Sequence, residues 1–118
     1  MIVRDLHHVS INVTDVDRAV RFYAEVLGLE QLPRPDFDFG GAWLGVGNGR
    51  QVHLIQADVP PDRGQHFAFQ VDDIDATVAA LRASGVDVRG PVDVGGTSAR
   101  QAFFADPDGN RLELNQPA

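Results

Sequence analysis

The sequence predicts an α+β domain built from two βαβββ modules, and three observations carry that expectation. The chain repeats itself: His8-Val9-Ser10-Ile11-Asn12-Val13-Thr14-Asp15-Val16-Asp17 matches His66-Phe67-Ala68-Phe69-Gln70-Val71-Asp72-Asp73-Ile74-Asp75 at an offset of 58 residues, and Gly49–Gln56 matches Gly109–Gln116 at an offset of 60. Period-two alternation and helical spacing follow one another in the same order in both halves. At 118 residues the chain is one domain by length, burying roughly two-thirds of its unfolded surface, whereas either half is too small to stand alone.

Leu6–Val13 alternates apolar and polar residues and reads as a strand with Val9, Ile11 and Val13 on one face. Asp15 or Asp17 offers an N-cap for a helix over Asp17–Leu27, with Val16, Val20, Tyr23 and Leu27 at helical spacing and Gly28 as the stop. Leu29–Pro33, Gly41–Val46 and Gln51–Gln56 read as strands, the last two joined by Gly47, Asn48 and Gly49. The second half repeats the order: a strand over His66–Val71, then an Asp73-capped helix burying Ile74, Val78 and Leu81 and stopping at Gly85. Strands near Val86–Arg89, Ala99–Phe104 and Arg111–Asn115 complete it, the last two flanking the turn Asp106-Pro107-Asp108-Gly109. The segment Ala57–Gln65, with Pro60, Pro61 and Gly64, connects the halves, so residues 1–118 divide into a module 1–58, a linker 59–63 and a module 64–118.

The charge balance narrows the partners. Ten arginines, no lysine and 17 acidic residues give a formal charge of −7, which argues against nucleic acid or an anionic membrane and for a small molecule or a protein. With no cysteine there is no disulfide and no thiolate ligand, so any metal must sit on nitrogen and oxygen. Arg4, Asp5, His7 and His8 interrupt the first ten residues, which read as neither signal peptide nor membrane span, and the expected location is the cytoplasm. Arg in place of Lys, with abundant Ala, Val and Gly, hints at a bacterial source.

The repeat also brings ligand-type residues into register. His8 stands opposite His66, and His53 opposite Glu113. On each strand these residues lie on the face away from the apolar set, together with Ser10, Asn12, Gln70 and Asn115. A curved sheet with its helices outside leaves that face as a cup suited to a pocket. Three histidines and a carboxylate make a candidate metal site; His8, His66 and Glu113 alone form a two-histidine, one-carboxylate set, which leaves His53 either a ligand or a pocket group behind one. Trp43 and Phe103, at equivalent positions, read as core or pocket wall, as does Phe104, and Ile55 joins the pocket candidates. His7 reads as a surface or hydrogen-bonded residue, and Asp72, Asp73 and Asp75 as helix capping and solvation. Neither a Gly-rich phosphate loop nor a serine nucleophile pattern is present.

Leu6–Asp15, Phe22–Leu29 and Phe104–Leu114 together resemble the vicinal oxygen chelate superfamily, which includes glyoxalase I, methylmalonyl-CoA epimerase, extradiol dioxygenases, fosfomycin thiol transferases and bleomycin-binding resistance proteins. The resemblance spans nearly the whole chain. It implies paired βαβββ modules curved into a mixed-sheet half-barrel, the glyoxalase/bleomycin resistance/dioxygenase fold, around a divalent ion (Zn, Ni, Co, Mn or Fe) at His8, His53, His66 and Glu113. It also implies a homodimer in which His8 and His53 of one subunit meet His66 and Glu113 of the other at the interface. The implied activity is that of a glyoxalase-like lyase or isomerase, acting on a small substrate with vicinal oxygens through a metal-bound enediolate. Glu113 would move the proton, and Ser10, Asn12, Gln70 and Asn115 would orient the substrate. Two alternatives stand beside it: an Fe(II)-dependent extradiol-type dioxygenase on His8, His66 and Glu113, and a binding protein that sequesters an aromatic antibiotic without chemistry. The chain departs from glyoxalase I in carrying His53 where that enzyme usually has Glu, and from the fosfomycin transferases in having no lysine for a phosphonate-binding loop.

Overall fold

A computed structural model describes residues 2–118. The chain divides into two compact units, one ending at Pro60 and the other beginning at Pro61, and each has the order βαβββ.

In the first unit β1 (His8–Val13) is followed by α1 (Val16–Val20), β2 (Glu30–Leu32), β3 (Gly41–Gly45) and β4 (Gln51–Gln56). The strands form a mixed sheet in the order β1-β4-β3-β2, with β1 parallel to β4 and the other pairs antiparallel. Of the two candidate caps it is Asp15 that starts α1, its side chain accepting from Arg18 N at 3.0 Å. The expected α-helix over Asp17–Leu27 is only partly realised: after Val20 the backbone widens into a π-helical turn, Arg21–Val26, where Leu27 N reaches back to Phe22 O. The buried stripe shifts accordingly. Ala19, Phe22 and Tyr23 are buried while Val16, Val20 and Leu27 are half-buried, because the wider turn lets two consecutive aromatic rings face the core. The helix packs against β3 and β4, over Val13, Leu44, Val52 and Leu54. The Gly47-Asn48-Gly49 turn holds Asn48 in the left-handed region at φ 65°, which asparagine tolerates better than most residues.

The second unit runs β5 (Phe67–Gln70), α2 (Ile74–Ala83), β6 (Arg89–Asp93), β7 (Arg100–Ala105) and β8 (Arg111–Gln116), with sheet order β5-β8-β7-β6 and β5 parallel to β8. Asp73 caps α2 by accepting from Ala76 N, and Ile74, Val78 and Leu81 are buried as their spacing requires. Gly85 ends the helix at φ 84°, with Val86 N bonded to Leu81 O. The strand expected at Val86–Arg89 lies instead at Arg89–Asp93. Gly90 and Pro91 argue against a strand there, but β6 is at the sheet edge and its pairing with β7 shifts register between Arg89 and Val92, so a proline costs no ladder bond. Among the described residues no helix is long and apolar enough to cross a membrane.

Candidate metal and substrate site

Strand alternation in the first unit puts His8, Ser10 and Asn12 on one face of β1, and β4 presents His53 and Ile55 on that same face, paired with Ser10 and Asn12 respectively. From the other side β3 pairs Trp43 with His53. The result is a three-ring stack: His53 lies 4.4 Å from Trp43 at 8° and 4.0 Å from His8 at 16°. The outer nitrogen of each imidazole is engaged. His53 Nε2 lies 2.7 Å from Gln51 Oε1 and donates to it, while His8 Nδ1 lies 2.9 Å from His7 Nδ1, one of the two donating. Burial, followed by the charges of His8, His7 and Arg34, holds the His53 pKa below its ordinary value, and a neutral ring that donates through Nε2 keeps a lone pair on Nδ1. His7, expected to be a surface or hydrogen-bonded residue, thus touches His8 directly. It precedes β1, where strand alternation does not govern its direction. Asn12 donates to the Asp58 carbonyl at 2.9 Å, so it also ties the end of the unit to β1.

The second unit holds the equivalent pair. His66 directly precedes β5 and donates through Nδ1 to the Gly64 carbonyl at 2.8 Å, which turns Nε2 onto Glu113 Oε1 at 3.0 Å. Asn115 Nδ2 donates to the other carboxylate oxygen at 3.1 Å. Glu113 is 9% exposed and pairs with Ala68 of β5 and Phe103 of β7, while Gln70 pairs with Asn115. The Phe103 ring meets His66 edge-on at 5.5 Å. The hydrogen bond to Gly64 and then that to Glu113 raise the His66 pKa, because in the imidazolium both nitrogens donate.

The His66–Glu113 pair has the chemistry of part of a divalent-ion ligand set, whereas the stacked His8 and His53 rings aim their in-plane lone pairs side by side. With His66 Nδ1 committed to Gly64, a neutral ring aims its lone pair at a carboxylate oxygen, an arrangement that calls for a proton or a metal ion. The observed 3.0 Å is also the spacing of two donors each about 2.1 Å from one ion at near right angles. The bonds to Gly64 and Asn115 are the kind of support that fixes ligand orientation. His8 and His53 form one pair and His66 and Glu113 the other; among the described residues no three such side chains gather closely enough to hold an ion. Sequence reasoning missed Gln51 and the His7 contact. Gln51 was legible, since it lies two residues from His53 on the same strand face; the His7 contact had no such signal.

Residues 5–114 match the family model of the Glyoxalase/Bleomycin resistance protein/Dioxygenase superfamily. A lactoylglutathione lyase of Haemophilus influenzae is 37% identical over 121 residues, covering 91% of this chain and 88% of that one. Among solved structures, a glyoxalase family protein from Bacillus anthracis superposes with a TM-score of 0.88 at 26% identity, over 100% of this chain and 98% of the other. TnmS3, an antibiotic binding protein from Streptomyces sp. CB03234, superposes at 0.78 with 33% identity over 100% and 99%.

Proposed function

The chain belongs to the Glyoxalase/Bleomycin resistance protein/Dioxygenase superfamily, and from that premise we propose that it is a divalent-metal-dependent, glyoxalase-like lyase or isomerase of the cytoplasm, acting on a small substrate with vicinal oxygens. The observation that carries the reading is the His66–Glu113 pair, its carboxylate buried and its two members braced on Gly64 and Asn115. His8, His53, His66 and Glu113 are the residues that would hold the ion. A bound divalent ion supplies Lewis acidity toward the substrate's adjacent oxygens. Glu113 is the base: its Oε1 takes a proton from one carbon and returns it to the neighbouring one, while Asn115 keeps Oε2 in place. His66 stays anchored by Gly64 throughout. Ser10, Gln70 and Asn115 orient the substrate, and Trp43, Ile55 and Phe103 wall the pocket and exclude water. In this reading the protein is a homodimer, His8 and His53 of one copy facing His66 and Glu113 of the other.

The test is elemental analysis of untagged protein beside a His8→Ala/Glu113→Ala double variant, with turnover of α-oxo thiohemiacetals measured in parallel. About one divalent ion per subunit, lost in the variant together with turnover, is the expected result. A metal-free protein after reconstitution, or full turnover by Glu113→Ala, would refute the proposal, and oxygen uptake with catechols would redirect it to dioxygenase chemistry.

One arrangement favours a second reading, sequestration of an aromatic antibiotic. Phe37 and Phe39 stack at 5.2 Å, both more than 40% exposed, with the Arg34 guanidinium over each ring and Trp43 6.2 Å from Phe37. Such a surface offers planar contact area. A ligand bound tightly and recovered unchanged would support it.

A further inference from the structure

His66 stands one residue ahead of β5, so strand parity does not set the direction of its ring. Hydrogen bonds set it instead. A neutral imidazole carries one proton, and two acceptors compete for it: the Gly64 carbonyl, 2.8 Å from Nδ1, and the Glu113 carboxylate, 3.0 Å from Nε2. The carboxylate is the stronger acceptor because it is charged. A proton drawn to Nε2 would block the nitrogen that faces Glu113, whereas a carbonyl held firmly at Nδ1 keeps Nε2 open to an ion.

That carbonyl belongs to the loop between Pro61 and His66. Gly64 sits at φ 104°, and a Cβ added there would meet nothing within 4 Å, so the glycine serves backbone direction rather than space. Gly64 N donates to Asp62 Oδ1 at 2.9 Å. Arg111 donates to the other oxygen, Oδ2, through Nε at 3.1 Å and Nη2 at 3.0 Å. Arg111 begins β8, two residues before Glu113 and on the same face. The bonds therefore close a ring that leaves β8 at Arg111, passes through Asp62, Gly64 and His66, and returns to β8 at Glu113. The Gly64 bond, then Arg111 and the more distant charge of Arg89, hold the Asp62 carboxyl below its ordinary range against some desolvation, so this link is charged near neutral pH. Gln65 closes the loop by a separate route, accepting from Arg63 N at 3.0 Å and donating to the Pro61 carbonyl at 2.9 Å.

We propose that Asp62 is a positioning residue for His66: its Oδ1 fixes Gly64 so that the Gly64 carbonyl keeps the imidazole proton on Nδ1, and Arg111 ties this arrangement to the strand that carries Glu113. The consequence for ion binding rests on the reading of His66 and Glu113 as ligands; the ring orientation rests on the hydrogen bonds alone.

The test compares the full chain with Asp62→Ala and with Asp62→Asn, whose Oδ1 still accepts from Gly64 N. The Asp62 side chain is 39% exposed and Gln65 closes the loop without it, so both variants should fold. In metal-free protein at mildly acidic pH both nitrogens of His66 carry protons, and NMR reads the exchange of the Nδ1 proton with water. The expected result is a protected Nδ1 proton in the natural chain, lost in Asp62→Ala and kept in Asp62→Asn. Zinc affinity at neutral pH should be about tenfold weaker in Asp62→Ala and within about twofold of the natural value in Asp62→Asn. No protected proton in the natural chain, a protected one in Asp62→Ala, or Asp62→Asn behaving like Asp62→Ala would overturn the proposal. So would a lowered urea midpoint in Asp62→Ala with both His66 readouts unchanged, the signature of a loop brace alone. Loss of the protected proton in Asp62→Ala of a chain that binds no zinc keeps the positioning role and removes the metal; zinc bound equally by the natural chain and Asp62→Ala, with the proton protected in both, does the reverse.

Discussion

Asp106→Ala is the substitution whose cost the structure lets one work out most directly. Asp106 is 5% exposed in the turn between β7 and β8, and its carboxylate accepts at least three hydrogen bonds: Oδ1 from Asp108 N at 3.0 Å and Asn110 N at 2.9 Å, and Oδ2 from Asn110 Nδ2 at 2.8 Å. Bonds to a charged acceptor contribute about 1.5–3 kcal/mol each, but this turn borders solvent and water recovers part of the loss, so the expected destabilisation is about 3–4 kcal/mol. That is a large share of the roughly 5–15 kcal/mol typical of a domain and corresponds to a melting temperature lower by roughly 10–20 °C. Asp106→Asn retains Oδ1 but sets an NH₂ against Asn110 Nδ2, and about 1–2 kcal/mol is expected. Urea titration is the assay, read as a shift in midpoint at constant slope. A loss under about 1 kcal/mol for Asp106→Ala would mean that the carboxylate does not hold the turn, and that the start of β8 and the placement of Glu113 are set by something else.

Three further outcomes are expected. Glu113→Gln keeps the shape and the Asn115 contact but removes the base, so turnover should fall about 10²–10⁴-fold in a protein whose far-ultraviolet dichroism is unchanged. Gln51→Leu removes the acceptor from His53 Nε2, and a divalent-ion titration should show affinity about 10–100-fold weaker while Glu113-side hydrogen bonding, read by NMR of the Asn115 amide, stays as it was. The Arg100 hydrogen bond holds the Asp75 pKa below 3.8, so this pair adds stability above that value and loses it as pH falls through the lower folded value. Arg100→Gln should therefore lower the urea midpoint slightly at neutral pH, the loss kept small by solvent screening of both side chains, and the two proteins should converge as pH falls, which flattens the acid limb.

Local chemistry explains which features could be read in advance. Gln51–Gln56 and the Asp73-capped helix rest on alternation and capping, both properties of neighbouring residues, and both lie where the pattern places them. The π-helical turn at Arg21–Val26 follows from burying Phe22 beside Tyr23, a packing demand that helical periodicity in the sequence does not encode. β6 departs from its expected place because edge position, which excuses Pro91, is a property of the whole sheet. The site divides in the same way. The faces carrying His8, His53 and Glu113 follow from strand parity, whereas the His66–Gly64 bond, the His7 contact and the Asp62 brace depend on loop geometry.

The internal repeat places different chemistry at equivalent positions of the two units. Position 53 and its counterpart 113 occupy equivalent places, each paired with an aromatic residue on the adjacent strand, Trp43 in one unit and Phe103 in the other. In the first unit the position carries an imidazole clamped between two flat rings, and burial with nearby positive charge lowers its pKa. In the second it carries a carboxylate, and the neighbouring imidazole, which meets Phe103 edge-on, is made more basic. Exchanging the two residues, His53→Glu with Glu113→His, therefore should not restore function. The carboxylate would then lie flat against Trp43, next to Gln51 Oε1, an acceptor facing an acceptor, while an imidazole in place of Glu113 would leave Asn115 Nδ2 without its carboxylate. A doubly exchanged protein as active as the natural chain would show that the rows around these positions are interchangeable; inactivity with ion binding retained would show that each row is tuned to the residue it holds.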